Sequence, residues 1–245
     1  MKLLCLDIGN TSITICDYKN EKLGKITRVE SDKNFINQLN SYNLENFNSI
    51  ILCSVVPSLT KILISYCKNN SINIFEINYK NSPLNLLVDN PSEVGNDRIC
   101  NAVAANKFNF KPSVIIDFGT ATTYDVVNHD GDFIGGAIAP GIDVSADYLI
   151  NKTALLKDTI YKFPPQVIGK NTISNIQSGV MYGGLLSVKG MIELINAEIN
   201  GTSKNIIITG GFGKLISQKI NLKHTYDELL TIEGMLHIFF ENQKN

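Results

Sequence analysis

One short pattern occurs twice in the 245 residues, and it constrains the fold more than any other feature. At residues 3–14, L-L-C-L-D-I-G-N-T-S-I-T, an uninterrupted apolar run ends in a carboxylate, a hydrophobic residue, a glycine and several short polar side chains. At residues 114–124, V-I-I-D-F-G-T-A-T-T-Y, the order returns, with Asp117-Phe118-Gly119 repeating Asp7-Ile8-Gly9 at an offset of 110. An apolar run bounded by a turn reads as a strand buried on both faces. Gly9 is expected to let the backbone turn through dihedrals that a side chain disfavours, beside the short donors Asn10, Thr11 and Ser12. Such a turn can hold a phosphate, and Asp7 can hold Mg²⁺ or its waters against a nucleotide. One copy alone is better read as an ordinary hairpin entry; the second shifts the reading to a duplicated phosphate-binding unit.

The likeness continues past both turns. Residues 13–17 lead to a turn at 19–22, residues 124–127 lead to a sharper one at 129–132, and S-I-I-L-C-S-V-V-P at 49–57 is echoed by N-I-I-I-T-G-G-F at 205–212. Two similar α/β domains are therefore expected, residues 1–110 and 111–245, facing each other across a cleft. Within the first, strands are expected at 25–30, 49–56 and 72–77, with a helix after Phe35 and another capped by Ser58. In the second, helices are expected at 146–156, from about 172 to 199 and at 232–240, with a strand at 206–209. Thr172 or Ser174 is the expected cap of the long helix, whose Gly179, Gly183, Gly184 and Gly190 suggest close packing against another backbone.

Net charge of −1 leaves no electrostatic footprint for nucleic acid or an anionic membrane, so the expected partners are small molecules or a second copy of the chain. No stretch reaches eighteen consecutive apolar residues and Met1 leads straight into the first strand, which points to the cytoplasm. The five cysteines lack C-x-x-C spacing and read as free structural thiols, and the three histidines show no metal-binding spacing.

The segment D-N-P-S-E-V-G-N-D-R-I-C-N at 89–101 is the most informative polar stretch. Gly95 breaks the chain, and Asn96 or Asp97 then caps a helix that turns Ile99, Val103 and Phe108 inward. Asp97 as a mere cap, with Arg98 paired to a surface carboxylate, and Asp97 with Arg98 as a substrate-binding pair are equally open from spacing alone. In the second case the Asp accepts from a hydroxyl and the Arg clasps a carboxylate.

With these pieces in order, the chain resembles the type III pantothenate kinases, within the acetate and sugar kinase, heat-shock chaperone and actin superfamily. The resemblance rests on D-I-G-N-T at 7–11, S-V-V-P at 54–57, N-P-S-E-V-G-N-D-R at 90–98 and D-F-G-T-A-T-T at 117–123. It continues through G-G-A-I-A-P-G at 135–141, G-K-N-T at 169–172, T-G-G-F-G at 209–213 and L-T-I-E-G-M at 230–235. It implies two actin-like (ribonuclease H-like) domains, each a mixed five-stranded sheet with helices, around a central nucleotide cleft. The implied reaction is ATP-dependent phosphorylation of pantothenate to 4′-phosphopantothenate, the first step towards coenzyme A.

Carried over by position, the resemblance implies that Asp7, Ile8, Gly9, Asn10, Thr11, Ser12, Ile13 and Thr14 bind ATP phosphates together with Thr120. It implies a monovalent cation, K⁺ or NH₄⁺, at Asp117, and Mg²⁺ carried on the nucleotide near Asp7. Gly95, Asn96, Asp97, Arg98 and Thr172 would hold pantothenate, with Asp97 as the base, and Gly210 and Gly211 would lie near the adenosine. The family commonly has a pantothenate-touching aromatic seven positions before the glycine of G-x-D-R; here that position is Val88. A homodimer is implied too. The alternatives are a kinase of another small hydroxylated substrate, or a non-enzymatic transcriptional accessory protein on the same scaffold.

Overall fold

Successive side chains of the first strand, β1 (Lys2–Ile8), go to opposite faces of its sheet, and both faces are apolar. Leu3 and Cys5 join one buried cluster, while Leu4, Leu6 and Ile8 join another. In the computed structural model, which describes residues 1–152, 161–199 and 205–244, this strand is the centre of the first of two sheets.

The first sheet is built from β1, β2 (Ser12–Lys19), β3 (Lys22–Leu23), β4 (Thr27–Glu30), β5 (Ser49–Ser54) and β6 (Ile74–Glu76). Its order is β3-β2-β1-β5-β6, with β4 also paired to β2. The sheet thus has six strands where five were expected, because residues 22–23 pair with β2 on their own. Asn20 and Glu21, both at positive φ, make the tight turn before them. One face is covered by α1 (Phe35–Leu39) and α2 (Pro57–Asn69). Ser58 does not cap α2: Pro57 opens the helix, and Ser54 Oγ accepts from Val56 N at 3.1 Å and from Thr60 Oγ1 at 2.7 Å.

The other face is covered by α3 (Asn96–Lys107) and by the C-terminal helix, which therefore packs with the first half of the chain and not with residues 111–228. Its physical reason is close helix contact: Gly234 sits against the Cys100 carbonyl, where a Cβ has no room, and Thr231 Oγ1 donates to buried Asn101 Oδ1 at 2.8 Å. Phe108, expected inside, ends α3 and is 40% exposed.

The second sheet contains β7 (Ser113–Phe118), β8 (Ala121–Val127), β9 (Phe133–Pro140), β10 (Asn205–Gly210) and β11 (Thr225–Tyr226), in the order β11-β10-β7-β8-β9. Its helices are α4 (Ile142–Lys152), α5 (Thr172–Glu198) and α6 (Gly213–Ser217), and the C-terminal helix α7 is Leu230–Asn242. Residues 153–156 of the expected 146–156 helix lie outside the described residues. Asn171 caps α5, its side chain accepting from Ser174 N at 2.9 Å while Ser174 Oγ accepts from Asn171 N, so neither Thr172 nor Ser174 is the cap. Among the described residues, a Cβ on Gly184 would meet the Ile142 side chain, whereas one on Gly179, Gly183 or Gly190 would meet nothing within 4 Å.

Two units result: Met1–Asn109 with Gly131–Phe133 and Leu229–Asn245, and Phe110–Asp130 with Ile134–Glu228. All five cysteines are free and buried.

Candidate active site

In the first unit the hairpin register pairs Ile8 with Ile13 and Asp7 with Thr14, leaving four residues, 9–12, as the turn. Gly9 N donates to Ser12 O at 3.0 Å, and Ser31, just after β4, fixes the turn from outside. Its Oγ donates to Gly9 O at 2.6 Å and its N to Thr11 O at 3.1 Å. Gly9 is not at positive φ; a Cβ there would lie 3.1 Å from Ser12 O, a tight contact within the turn. Asn10 and Thr11 are exposed and Ser12 is half-buried, so their hydroxyl, amide and N–H groups are accessible donors. Ile8 and Ile13 bury their side chains completely, which leaves only main chain at those two positions for any ligand.

The same strands position the start of α3. Asp7 pairs with Cys53 and Ile8 with Ser54 across the parallel β1–β5 ladder, and Ser54 O accepts from Asn96 Nδ2 at 3.0 Å. Asn96 is the first helical residue and Gly95 the cap position, not Asn96 or Asp97 as expected. A Cβ there would stand 2.5 Å from Asp97 Oδ1, so a side chain at this position would displace that carboxylate. That carboxylate oxygen accepts from Arg98 N at 2.8 Å. The helix terminus alone would favour ionised Asp97. Burial is the larger effect and raises its pKa, against the lowering influence of the Arg98 N–H and guanidinium. Just upstream, Asn90 accepts from Ser92 N and donates to Glu93 Oε1, closing a short helical turn at Pro91–Glu93. Val88 is half-buried in the segment before it.

In the second unit Phe118 pairs with Thr122 and Asp117 with Thr123, so this turn has three residues, 119–121, and Gly119 N donates to Ala121 O at 3.1 Å. Thr120 is exposed at its tip. Gly141, after β9, packs on the turn: its N donates to Thr120 O at 3.1 Å, and a Cβ would lie 2.5 Å from that oxygen. Gly210 ends β10 beside Phe118 with φ +85, and a Cβ there would run into Asp117 Oδ1 and lie 2.5 Å from Phe118 N. Bare backbone therefore borders the Asp117 carboxylate. Thr172 is exposed at the first position of α5, on the rim of a cavity of about 610 Å³ that is also lined by Tyr124, Ile142, Gly179 and Gly183.

Ser31 was not singled out from sequence, because a lone serine outside a repeat carries no distinguishing pattern; Ser54 and Gly141 entered only as parts of S-V-V-P and of the small-residue run at 135–142, without roles of their own. The echo of residues 49–57 at 205–212 is the signal that could have found Ser54.

The chain matches the family model described as Type III pantothenate kinase over residues 3–194. A type III pantothenate kinase of Sulfurihydrogenibium sp. is 40% identical over 248 residues, covering 95% of this chain and 97% of that protein. Among solved structures, a conserved Campylobacter jejuni protein described as a Baf family transcriptional activator has a TM-score of 0.66 at 22% identity, covering 99% and 100% of the two chains. Acetate kinase from Entamoeba histolytica has a TM-score of 0.53 at 10% identity over all of both chains. These two likenesses bear on fold, and agree with two actin-like domains.

Proposed function

The chain belongs to the type III pantothenate kinase family, and from that premise we propose how its own residues carry out ATP-dependent phosphorylation of pantothenate. Asp97 takes the proton from the primary hydroxyl as its oxygen bonds to the γ-phosphorus and the bond to the ADP oxygen breaks. One observation carries this assignment: a carboxylate on the first turn of α3, given space by Gly95 and oriented by Arg98 N. Phosphoryl transfer passes through a loose transition state, so positioning and charge neutralisation outweigh base strength. Arg98 is the partner for the pantothenate carboxylate, with Gly95, Asn96 and Val88 as further contacts. One N–H of the Asn96 amide is held by Ser54 O, which fixes the direction of that side chain.

In each unit the turn after the Asp offers N–H and hydroxyl donors to phosphate oxygens: residues 7–14 in the first, Thr120 in the second. Among the described residues no three His, Cys, Asp or Glu side chains gather into a metal cage. Asp7 with nucleotide oxygens and waters is the donor set that suits Mg²⁺, which when bound neutralises phosphate charge. The bare backbone of Gly210 beside Asp117 suits a larger, weakly hydrated monovalent cation, K⁺ or NH₄⁺. No described helix is long and apolar enough to cross a membrane. Work in the cytoplasm would keep the five thiols reduced.

ADP release with Mg-ATP and K⁺, with and without pantothenate, tests the assignment. Asp97→Asn should lower kcat by about 10²–10⁴-fold, the usual worth of a positioned base. In the wild type, kcat/KM should rise with pH on a limb above the ordinary carboxylate range, because burial raises the Asp97 pKa. By the same linkage, Asp97 favours the folded state below its unfolded pKa and loses that contribution as pH rises through the folded one. Asp97→Asn should therefore melt later than wild type at neutral pH. Pantothenate-dependent turnover that survives the substitution, with no shift in the limb, would remove Asp97 from the role.

The active species is a homodimer in this reading, supported by the exposed Ile138, Tyr148, Leu186 and Leu194 of the second unit. Light scattering at micromolar concentration should give twice the chain mass; a monomer mass rejects it.

A further inference from the structure

The guanidinium of Arg98 lies at the third residue of α3, the wrong end of a helix for a cation. What faces it is an aromatic ring: its central carbon is 5.5 Å from the centroid of Phe133, which is 1% exposed. A buried ring face carries the negative part of the aromatic quadrupole, and it attracts a guanidinium more strongly the less water lies between them.

Phe133 is far from Arg98 in sequence, and the main chain holds it in place on both sides. Phe133 N donates to Asn85 O at 3.0 Å and Leu87 N donates to Phe133 O at 2.8 Å, making a short parallel bridge at Leu86. The preceding residue adds a side-chain tie, Asn85 Nδ2 to Asp132 Oδ1 at 2.8 Å. Gly131 lies against the Asn106 side chain of α3, where a Cβ has no room. Residues 131–133 thus belong to the first unit although the chain on both sides of them belongs to the second.

We propose that Phe133 is a positioning residue for substrate specificity: its ring holds the Arg98 guanidinium in the plane and direction needed to take the carboxylate of the acceptor. The proposal rests on the reading of Arg98 given above. It assigns the excursion of residues 131–133 a purpose, because the strap at 85–87 that fixes Phe133 holds its ring against the start of α3.

Steady-state kinetics on the full-length protein tests it. Phe133→Leu keeps an apolar side chain and removes the ring face; it should raise the KM for pantothenate about 5- to 30-fold, the range set by a buried cation–π contact. The values of kcat and of KM for ATP should stay within about twofold, the result expected when only uniform ground-state binding is lost. Phe133→Tyr should restore the pantothenate KM. With the alcohol analogue in which the carboxylate is replaced by a hydroxymethyl group, Phe133→Leu should have no effect on KM. In an Arg98→Met background it should add nothing.

A KM increase of the same size on pantothenate and on the alcohol, a fall in kcat alone, or a further loss in the Arg98→Met background would overturn the proposal. If Phe133→Leu does not fold, as judged by its thermal transition, Phe133→Met is read in the same assays. If Arg98→Met by itself leaves the pantothenate KM unchanged, the reading of Arg98 fails first, and it does so before any Phe133 variant is measured.

Discussion

The two Asp-x-Gly turns share a sequence pattern and are built differently. Seven residues of β1 and six of β7 arrive in the same way, and each turn follows its Asp at the same spacing. The hairpins then diverge by one residue: Asp7 pairs with Thr14, seven positions on, and Asp117 with Thr123, six positions on. The offset of 110 that marks the repeat in the sequence therefore becomes 109 past the turn. The longer first turn exposes Asn10 and Thr11; the shorter second one exposes Gly119 and Thr120.

Their neighbours differ too. The strand parallel to β1 ends at Ser54, and the one parallel to β7 ends at Gly210, at equivalent places in the two ladders. Ser54 uses its hydroxyl on α2 and its carbonyl on Asn96, so it ties the first turn's sheet to the helix that carries Asp97. Gly210 has no side chain and packs its backbone closely against Asp117 and Phe118. One duplicated frame thus carries the helix of Asp97 in one unit and a glycine packed beside Asp117 in the other.

Alanine at these two equivalent positions separates the roles, and the largest effect is expected in the second unit. Gly210→Ala combines a side chain at φ +85 with a Cβ against Asp117 and the Phe118 backbone, and should cost on the order of 3 kcal/mol. For a chain of this size that lowers Tm by about 6–12 °C, and K⁺ activation should be lost. Ser54→Ala removes one hydroxyl and should cost about 1 kcal/mol with the K⁺ response intact. Equal losses in the two variants would mean that the strand ends are interchangeable. Next in size is Gly141→Ala, whose Cβ would stand 2.5 Å from Thr120 O and 2.7 Å from Gly119 O, both backbone atoms. It should cost about 2 kcal/mol, by overpacking.

The fold was legible in the sequence to the extent that patterns repeat. The apolar runs of β1, β5, β7 and β10 read as strands because they are short, rich in Ile, Leu and Val and bounded by turn residues, and each is buried along most of its length. The allocation of α7 was not legible, since its apolar side would suit either sheet; the choice depends on Gly234 fitting the Cys100 carbonyl, a contact between residues more than a hundred positions apart. Asp97 and Arg98 could be named from their spacing and the resemblance, but the state of Asp97 could not. A helix N-terminus predicts an easily ionised carboxylate, whereas burial, a property of tertiary packing, raises its pKa. Phe133 gave no signal at all, because nothing in residues 129–134 indicates that three of them leave their own sheet's unit.

The smallest expected effect tests how the turns are held. The second turn is pinned by backbone packing from Gly141, which any side chain disturbs; the first is pinned by hydrogen bonds from Ser31, one from its hydroxyl and one from its N–H. Ser31→Ala removes the 2.6 Å bond to Gly9 O and keeps the bond from Ser31 N to Thr11 O. The net worth of such a hydrogen bond is about 1 kcal/mol, or a Tm change of about 2–4 °C. Because the freed group is a carbonyl at an accessible turn, water can replace the hydroxyl, and the loss should be at the lower end of that range. The same variant should raise the KM for ATP modestly while leaving the KM for pantothenate alone, since the contact lies on the turn proposed to bind phosphate and not on α3. Calorimetry with kinetics on both substrates checks it: a loss as large as that of Gly141→Ala would show that the hydroxyl carries the first turn as the glycine carries the second, and the contrast between a hydrogen-bonded and a packed turn would fall.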